Sequence, residues 1–472
     1  MSLGTPLRFM KDHLLLVGEV REQVKKFYKE KKQARIYRGG THSTRPLNFK
    51  RDEVIDVTKL KHVIEINAVE RYAVVEPNVS MGDLVHACLK HGMIPPVVME
   101  FPEITVGGAI QGGAGESSSF KYGLFHDICL EYEIILGNGD IVTASKDQDP
   151  DLYFGTAGSY GSLGVITLVK LKLISAKKFV ELTYSRTDSF EQTLSAIEFS
   201  RTKGVDFLDG IVFSKDRSVI MEGKLTDEEK YPIANFSRSK DEWFYLHAER
   251  KTGGQREYTE TIPLKEYLFR YDRGAFWMGS FSFDVFKISF NRLTRYIFNV
   301  FLNTKTLYRS LHAAGFAQEY VIQDFCLPAG TSLKFLESSD KSMAIYPIWL
   351  CPLKVETRSR LSSNYLDAAS ALNIGIYGLP KESKDLISLN KVLERTVKDF
   401  GGRKCLYAHA YYDQKEFWDI YDHEYYVSMR NTYHATSTFP DIYEKVHVKG
   451  EVKGSVSKGF LYFFLSPFRL RS

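Results

Sequence analysis

Two glycine-rich runs and two histidines are the parts of this 472-residue chain whose types and spacing could do chemistry. The longer run reaches from Ile104 to Gly123, directly after Glu100-Phe-Pro-Glu103, and the shorter is Arg38-Gly-Gly-Thr-His-Ser43. A backbone this poor in Cβ atoms can lie against a flat or phosphorylated ligand and offer it N–H donors. Two such runs imply one large cofactor held from two sides rather than a single phosphate. His42 belongs to the shorter run. His409, in Leu406-Tyr-Ala-His-Ala-Tyr411, sits in an alternating stretch that reads as a strand, with Tyr407 and Tyr411 beside it. A residue so placed can exchange a proton with a substrate, and a satisfied structural histidine is the alternative.

Short strands and turns must position these residues. A helix is expected over Glu19–Lys32, then strands at Ala34–Tyr37, Glu53–Val57, His62–Ile66 and Tyr72–Glu76. Met81–His91 reads as a helix with Ser80 as its N-cap and Gly92 past its end. A hairpin turning at Gly137-Asn-Gly139 follows the long glycine run, and a strand follows Gly161-Ser-Leu-Gly164. Glycine usage falls after about residue 175, which places a boundary there. The charged stretch Lys224–Arg256 reads as a solvated excursion, and Arg270 and Arg273 as solvated or salt-bridged surface.

Composition excludes several classes. A net charge of +5, with acids mixed among the bases, argues against a nucleic-acid partner. The five cysteines are scattered without metal-ligand spacing, so no metal is expected and reduced thiols in a cytoplasmic setting are. No apolar segment is long enough to span a bilayer, although the aromatic run within 458–471, flanked by cations, has the pattern of a peripheral membrane contact. Neither glycine run fits G-x-G-x-x-G between a strand and a helix, because no helix-period pattern follows Gly112-Gly-Ala-Gly115. Neither ends in Gly-Lys-Ser/Thr.

Four segments together resemble the FAD-linked oxidoreductases of the vanillyl-alcohol-oxidase (PCMH-type) superfamily: Arg38–Ser43, Pro102–Ala109, Ser119–Gly123 and Gly161–Thr167. Within it the protein is most similar to the sterol Δ24-reductase (diminuto-like) family. That likeness continues through Val321-Ile-Gln-Asp-Phe-Cys-Leu-Pro328, Tyr346-Pro-Ile-Trp349, Ile374–Pro380 and Phe439–Tyr443, and covers roughly residues 35 to 446.

The resemblance implies an α+β fold: a bipartite FAD-binding domain from residues 1–176 and 411–472, with an antiparallel-sheet cap over 177–410. It implies FAD held by Gly39, Gly40, Thr41, His42 and Ser43, then by Pro102, Thr105, Val106, Gly107, Gly108, Gly112, Gly115, Ser117, Ser118 and Gly123, with Ile166 further along. Activity is expected as NADPH-dependent reduction of a double bond in the side chain of a sterol or prenoid lipid, with His409 or Tyr411 as proton donor. The alternative is an alcohol or sugar oxidase or dehydrogenase with FAD bonded covalently through His42. In that case His409 would take the substrate proton.

Overall fold

The computed structural model describes residues 5–40, 43–45, 50–315, 319–380 and 385–448. A helix over Thr5–Glu30 opens the fold, starting well before the expected Glu19. Gly18 lies within it, with open space where a Cβ would stand. Val17, Val20, Val24 and Phe27 recur on one face and pack with Ile55, Val165 and Phe439.

Strand β1 (Arg35–Tyr37) pairs in parallel with β2 (Val54–Asp56). Next come β3 (Val63–Asn67), β4 (Tyr72–Val75) and the two-residue β5 (Met93–Ile94). They are followed by β6 (Cys129–Ile135), β7 (Ile141–Ser145) and β8 (Val165–Lys172). Five of these make one sheet in the order β3-β4-β8-β6-β7, antiparallel throughout. β9 (Ile174–Ser175) pairs back onto β5. The helix Met81–Leu89 forms as expected, with Ser80 Oγ accepting from the Asp83 amide.

The long glycine run is not all loop. Val106–Gly112 is a helix, capped by Thr105 Oγ1 on the Gly108 amide and ended by Gly113 at φ 63°. Glycine disfavours helix locally, but Val106, Ala109 and Ile110 are fully buried in the core beneath the first sheet, and that burial decides.

The second sheet is built from β10 (Phe179–Thr187), β11 (Phe207–Ser214), β12 (Arg217–Thr226), β13 (Glu257–Pro263), β14 (Val321–Pro328), β15 (Ile348–Leu353), β16 (Ala371–Gly378) and β17 (Arg403–Lys404). Its order is β13-β10-β12-β11-β15-β16-β14-β17, again antiparallel throughout. The architecture is thus mixed helix and antiparallel sheet. The backbone then returns through helices Gln414–Ile420, His423–Thr432 and Ile442–Val446. Phe417, Tyr426, Ile442 and Val446 join the core that contains Tyr132 and Val169 of the first sheet.

Two readings are corrected here. Lys224–Arg256 is not simply solvated: Trp243, Phe244 and Ala248 are fully buried, because the helix Phe244–Lys251 packs an aromatic face into the second core. Arg270 and Arg273 are not surface either, being 1% and 7% exposed. Arg270 donates to Glu116 (3.0 Å) and Asp209 (2.9 Å), while Arg273 donates to the carbonyls of Phe236 and Asp241.

Candidate active site

A cavity of about 1370 Å³ is lined from both sheets and both glycine runs. Gly39, Gly40, Ser43, Pro102, Thr105, Gly108, Gly112 and Gly115 all line it. Gly108 shows why side chains are missing there: a Cβ would lie 2.9 Å from Arg38 Nη1. The other expected contacts sit behind the wall. Val106 and Gly107 are on the buried side of their helix, and the Gly107 amide donates to Pro77 O (2.8 Å). Ser117 and Ser118 are buried where the run meets the second sheet, Ser117 O accepting from the Leu208 amide. Gly123 ends a four-residue helix. Ile166 is buried in β8 opposite Ile134. Thr41 and His42 lie outside the described residues.

Basic side chains form one group on this wall: Arg35, Arg38, Arg45 and Lys445. Among the described residues no carboxylate pairs with Arg38, Arg45 or Lys445. Arg38 Nη1 is buried without a hydrogen-bond partner. Burial, then repulsion from Arg45, Arg35 and Arg38, pushes the Lys445 ammonium well below its ordinary pKa. Burial likewise brings Arg45 down to about 10. Such a cluster is under electrostatic stress until an anion joins it.

The second group is acidic and phenolic. Asp324, on β14, accepts from Tyr407 Oη (2.6 Å), Asn373 Nδ2 (2.6 Å) and Tyr377 Oη (2.9 Å). Burial raises its pKa, and these three donors pull it back. Gly375 leaves room for this network, since a Cβ there would lie 2.8 Å from Asp324 Oδ1. Glu100 shares the wall, and its carboxyl is pushed up to about 8, chiefly by burial. Repulsion from Glu116 and Asp324 adds to this, and Arg270 opposes it. Glu100 is therefore mostly protonated at neutral pH, in a cavity walled by Phe276, Phe281, Phe286 and Trp349.

The expected proton donors are placed differently. Residues Leu406–Ala408 form a turn, not a strand, so the alternation that set the facing of His409 and Tyr411 does not hold. Tyr407 lines the cavity; His409 and Tyr411 do not. His409 is 4% exposed with Nδ1 on Thr44 Oγ1 (3.3 Å), and burial plus repulsion from Lys404 and Arg45 lowers its pKa to about 3. Its imidazole is therefore held neutral, and its Nε2 is buried without a hydrogen-bond partner. The Tyr411 amide donates to the Glu394 carboxylate. Sequence reasoning thus missed Glu100, Asp324, Tyr377, Tyr407, Arg45 and Lys445 as residues of the cavity wall. Asp324 and Tyr407 lay within quoted motifs, and an acid or phenol inside an apolar strand or turn was the available signal.

Residues 17–145 match the model of an FAD binding domain. The Delta(24)-sterol reductase of Mus musculus is 30% identical over 448 residues, covering 92% of this protein and 86% of its own length. That of Arabidopsis thaliana is 29% identical over 432 residues, covering 83% and 76%. The protein belongs to the Delta(24)-sterol reductase family. Like other members of that family it is an FAD-dependent oxidoreductase. The rice cytokinin dehydrogenase 7 shares 34% identity over 136 residues, 28% of this protein and 26% of its own length.

The residues of this Delta(24)-sterol reductase family member fit FAD. An unpaired guanidinium nitrogen, three further cations and a wall of glycines suit a diphosphate beside a flat ring system. Arg38→Ala and Lys445→Ala should each weaken FAD binding by about 10- to 100-fold, the worth of one hydrogen bond to a charged group. A flavin-fluorescence titration of the apoprotein checks this. Among the described residues no helix is long and apolar enough to cross a membrane.

Proposed function

We propose that this protein reduces an isolated trisubstituted double bond between carbons in the side chain of a sterol or prenoid lipid, using NADPH as electron source. The balance is NADPH, a proton and the alkene giving NADP⁺ and the saturated product. The observation that carries the reading is a carboxyl, Glu100, pushed toward its acid form by burial and lying on the same cavity wall as Phe276, Phe281, Phe286 and Trp349. Bound FAD supplies the hydride carrier. Glu100 gives the proton to the alkene carbon next to the one that receives hydride, and solvent restores it. Asp324, held by Tyr377, Tyr407 and Asn373, fixes the polar edge of the site, while Phe276 and Trp349 exclude water and hold the apolar substrate. Residues 1–176 and 411–472 then serve as the flavin-holding part and 177–410 as the substrate cap. The relatives named as Delta(24)-sterol reductases support the same reading.

The test is anaerobic. NADPH should bleach the visible flavin band of the FAD-loaded protein. A sterol with a Δ24 double bond should then restore the band and yield the dihydro product by mass spectrometry. A flavin that NADPH leaves oxidised, but that simple alcohols or sugars reduce, would overturn the reading in favour of an alcohol dehydrogenase or oxidase.

A further inference from the structure

We propose that the helix Arg292–Ile297 and the turn after it form a surface that docks on a lipid bilayer carrying anionic headgroups. Leu293, Tyr296, Ile297 and Val300 are 66%, 54%, 58% and 53% exposed. Leu293, Tyr296 and Ile297 fall at i, i+3 and i+4, on one face of the helix, and Val300 follows in the 3-10 turn Asn299–Phe301. In a water-facing helix that stripe turns inward. Here the inward side is already filled by other residues: Phe290 and Phe298 meet Phe283 edge to face, and Phe283 is buried in the second core. The outer stripe is therefore surplus apolar surface, concentrated in eight residues.

Charge identifies the occupant. Residues 285–318 contain five lysines and arginines (Lys287, Arg292, Arg295, Lys305 and Arg309) and no aspartate or glutamate. Lys305 pairs with Glu103, whereas Lys287, Arg292 and Arg309 are exposed. Exposed apolar side chains in a segment whose charges are all positive suit the boundary between acyl tails and anionic headgroups. A second copy of this protein would bring the same cations against themselves. The placement also has a use. The flanking helices, Gly279–Val285 and Thr304–Ala314, carry Phe281, Val285, Leu307 and Tyr308 on the cavity wall. A bilayer against the stripe would lie beside the cavity and could pass an apolar molecule into it.

The inference does not depend on the alkene chemistry, and its test uses no substrate. Full-length, FAD-loaded protein is floated with vesicles of phosphatidylcholine alone or with added phosphatidylserine. Wild type should float with the anionic vesicles, and less so as salt rises. Leu293→Asp with Ile297→Asp should lower the partition by about tenfold or more, as loss of two apolar side chains from the interface requires. Arg292→Glu should weaken it selectively on anionic vesicles. The flavin spectrum of each variant shows that it remains folded. Wild type that does not float overturns the proposal. So does an undiminished double variant, which would move the contact elsewhere, for example to the 458–471 run outside the described residues. A wild-type dimer that the double variant converts to monomer, with flotation unchanged, would make the stripe a self-association surface instead.

Discussion

Replacing Glu100 with glutamine is expected to lower turnover about 10²–10⁴-fold, the usual worth of a positioned general acid. Glutamine keeps the size and polarity of the side chain but has no proton to give. The loss should fall on one half of the cycle. Flavin reduction by NADPH needs no acid at the alkene and should proceed normally, whereas reoxidation by the alkene should slow. Stopped-flow absorbance separates the two.

The pH dependence has a definite sign. Burial pushes the Glu100 carboxyl up to about 8 in the folded protein, against about 4.5 for an ordinary glutamate. Its acid form prevails below 8, so wild-type reoxidation should fall as pH rises through about 8. Glu100→Gln should lose that limb. The same shift opposes folding: between 4.5 and 8 the folded state holds a proton that the unfolded state has released, so this group's contribution to stability falls as pH rises. Equal reoxidation rates in the two proteins would remove Glu100 from the chemistry.

The parts of the site that were legible in the sequence are those whose signal is local. Gly108 and Gly115 announce a surface without side chains wherever the backbone goes, and both line the cavity. The Ser80 cap and the hairpin at Gly137–Gly139 are short-range as well. Glu100 is different. It was visible next to the glycine run, but its upward shift comes from burial, then from Glu116 and from Asp324 on the second sheet. The Asp324 network joins partners 49, 53 and 83 residues away. The strand expected around His409 fails for the complementary reason: its neighbours alternate in type, but the backbone turns at Leu406–Ala408 and the facing is lost. Arg270 read as surface because Arg-Tyr-Asp-Arg is charged, and its two carboxylate partners lie 61 and 154 residues earlier.

Those partners make Arg270 the residue whose loss should cost the fold most. Its guanidinium is fully buried between Glu116, within the long glycine run, and Asp209 on β11. The rings of Tyr267 and Tyr271 lie 4.2 and 4.6 Å from it. Asp209 also accepts from Tyr271 (2.7 Å) and from the Trp349 indole (3.2 Å). Arg270→Met leaves two buried carboxylates facing each other without a cation, a change worth about 3–5 kcal/mol of destabilisation. Urea unfolding of the FAD-saturated protein should show it. Burial already raises the Glu116 pKa, and Arg270 is what restrains it. In the variant the folded state therefore holds protons that the unfolded state releases, so the deficit should widen as pH rises. Adding Glu116→Gln and Asp209→Asn to Arg270→Met removes the stranded charge and should recover much of the loss. A single variant within about 1 kcal/mol of wild type would show that the triad does not hold the glycine run to the second sheet. If the loss is as expected, the triad also acts on the chemistry. It fixes the segment next to Gly113, Ala114 and Gly115 on the cavity wall, and its cation opposes the upward shift of Glu100. Any Arg270→Met protein that remains folded should then carry its reoxidation limb above the wild-type pH of about 8.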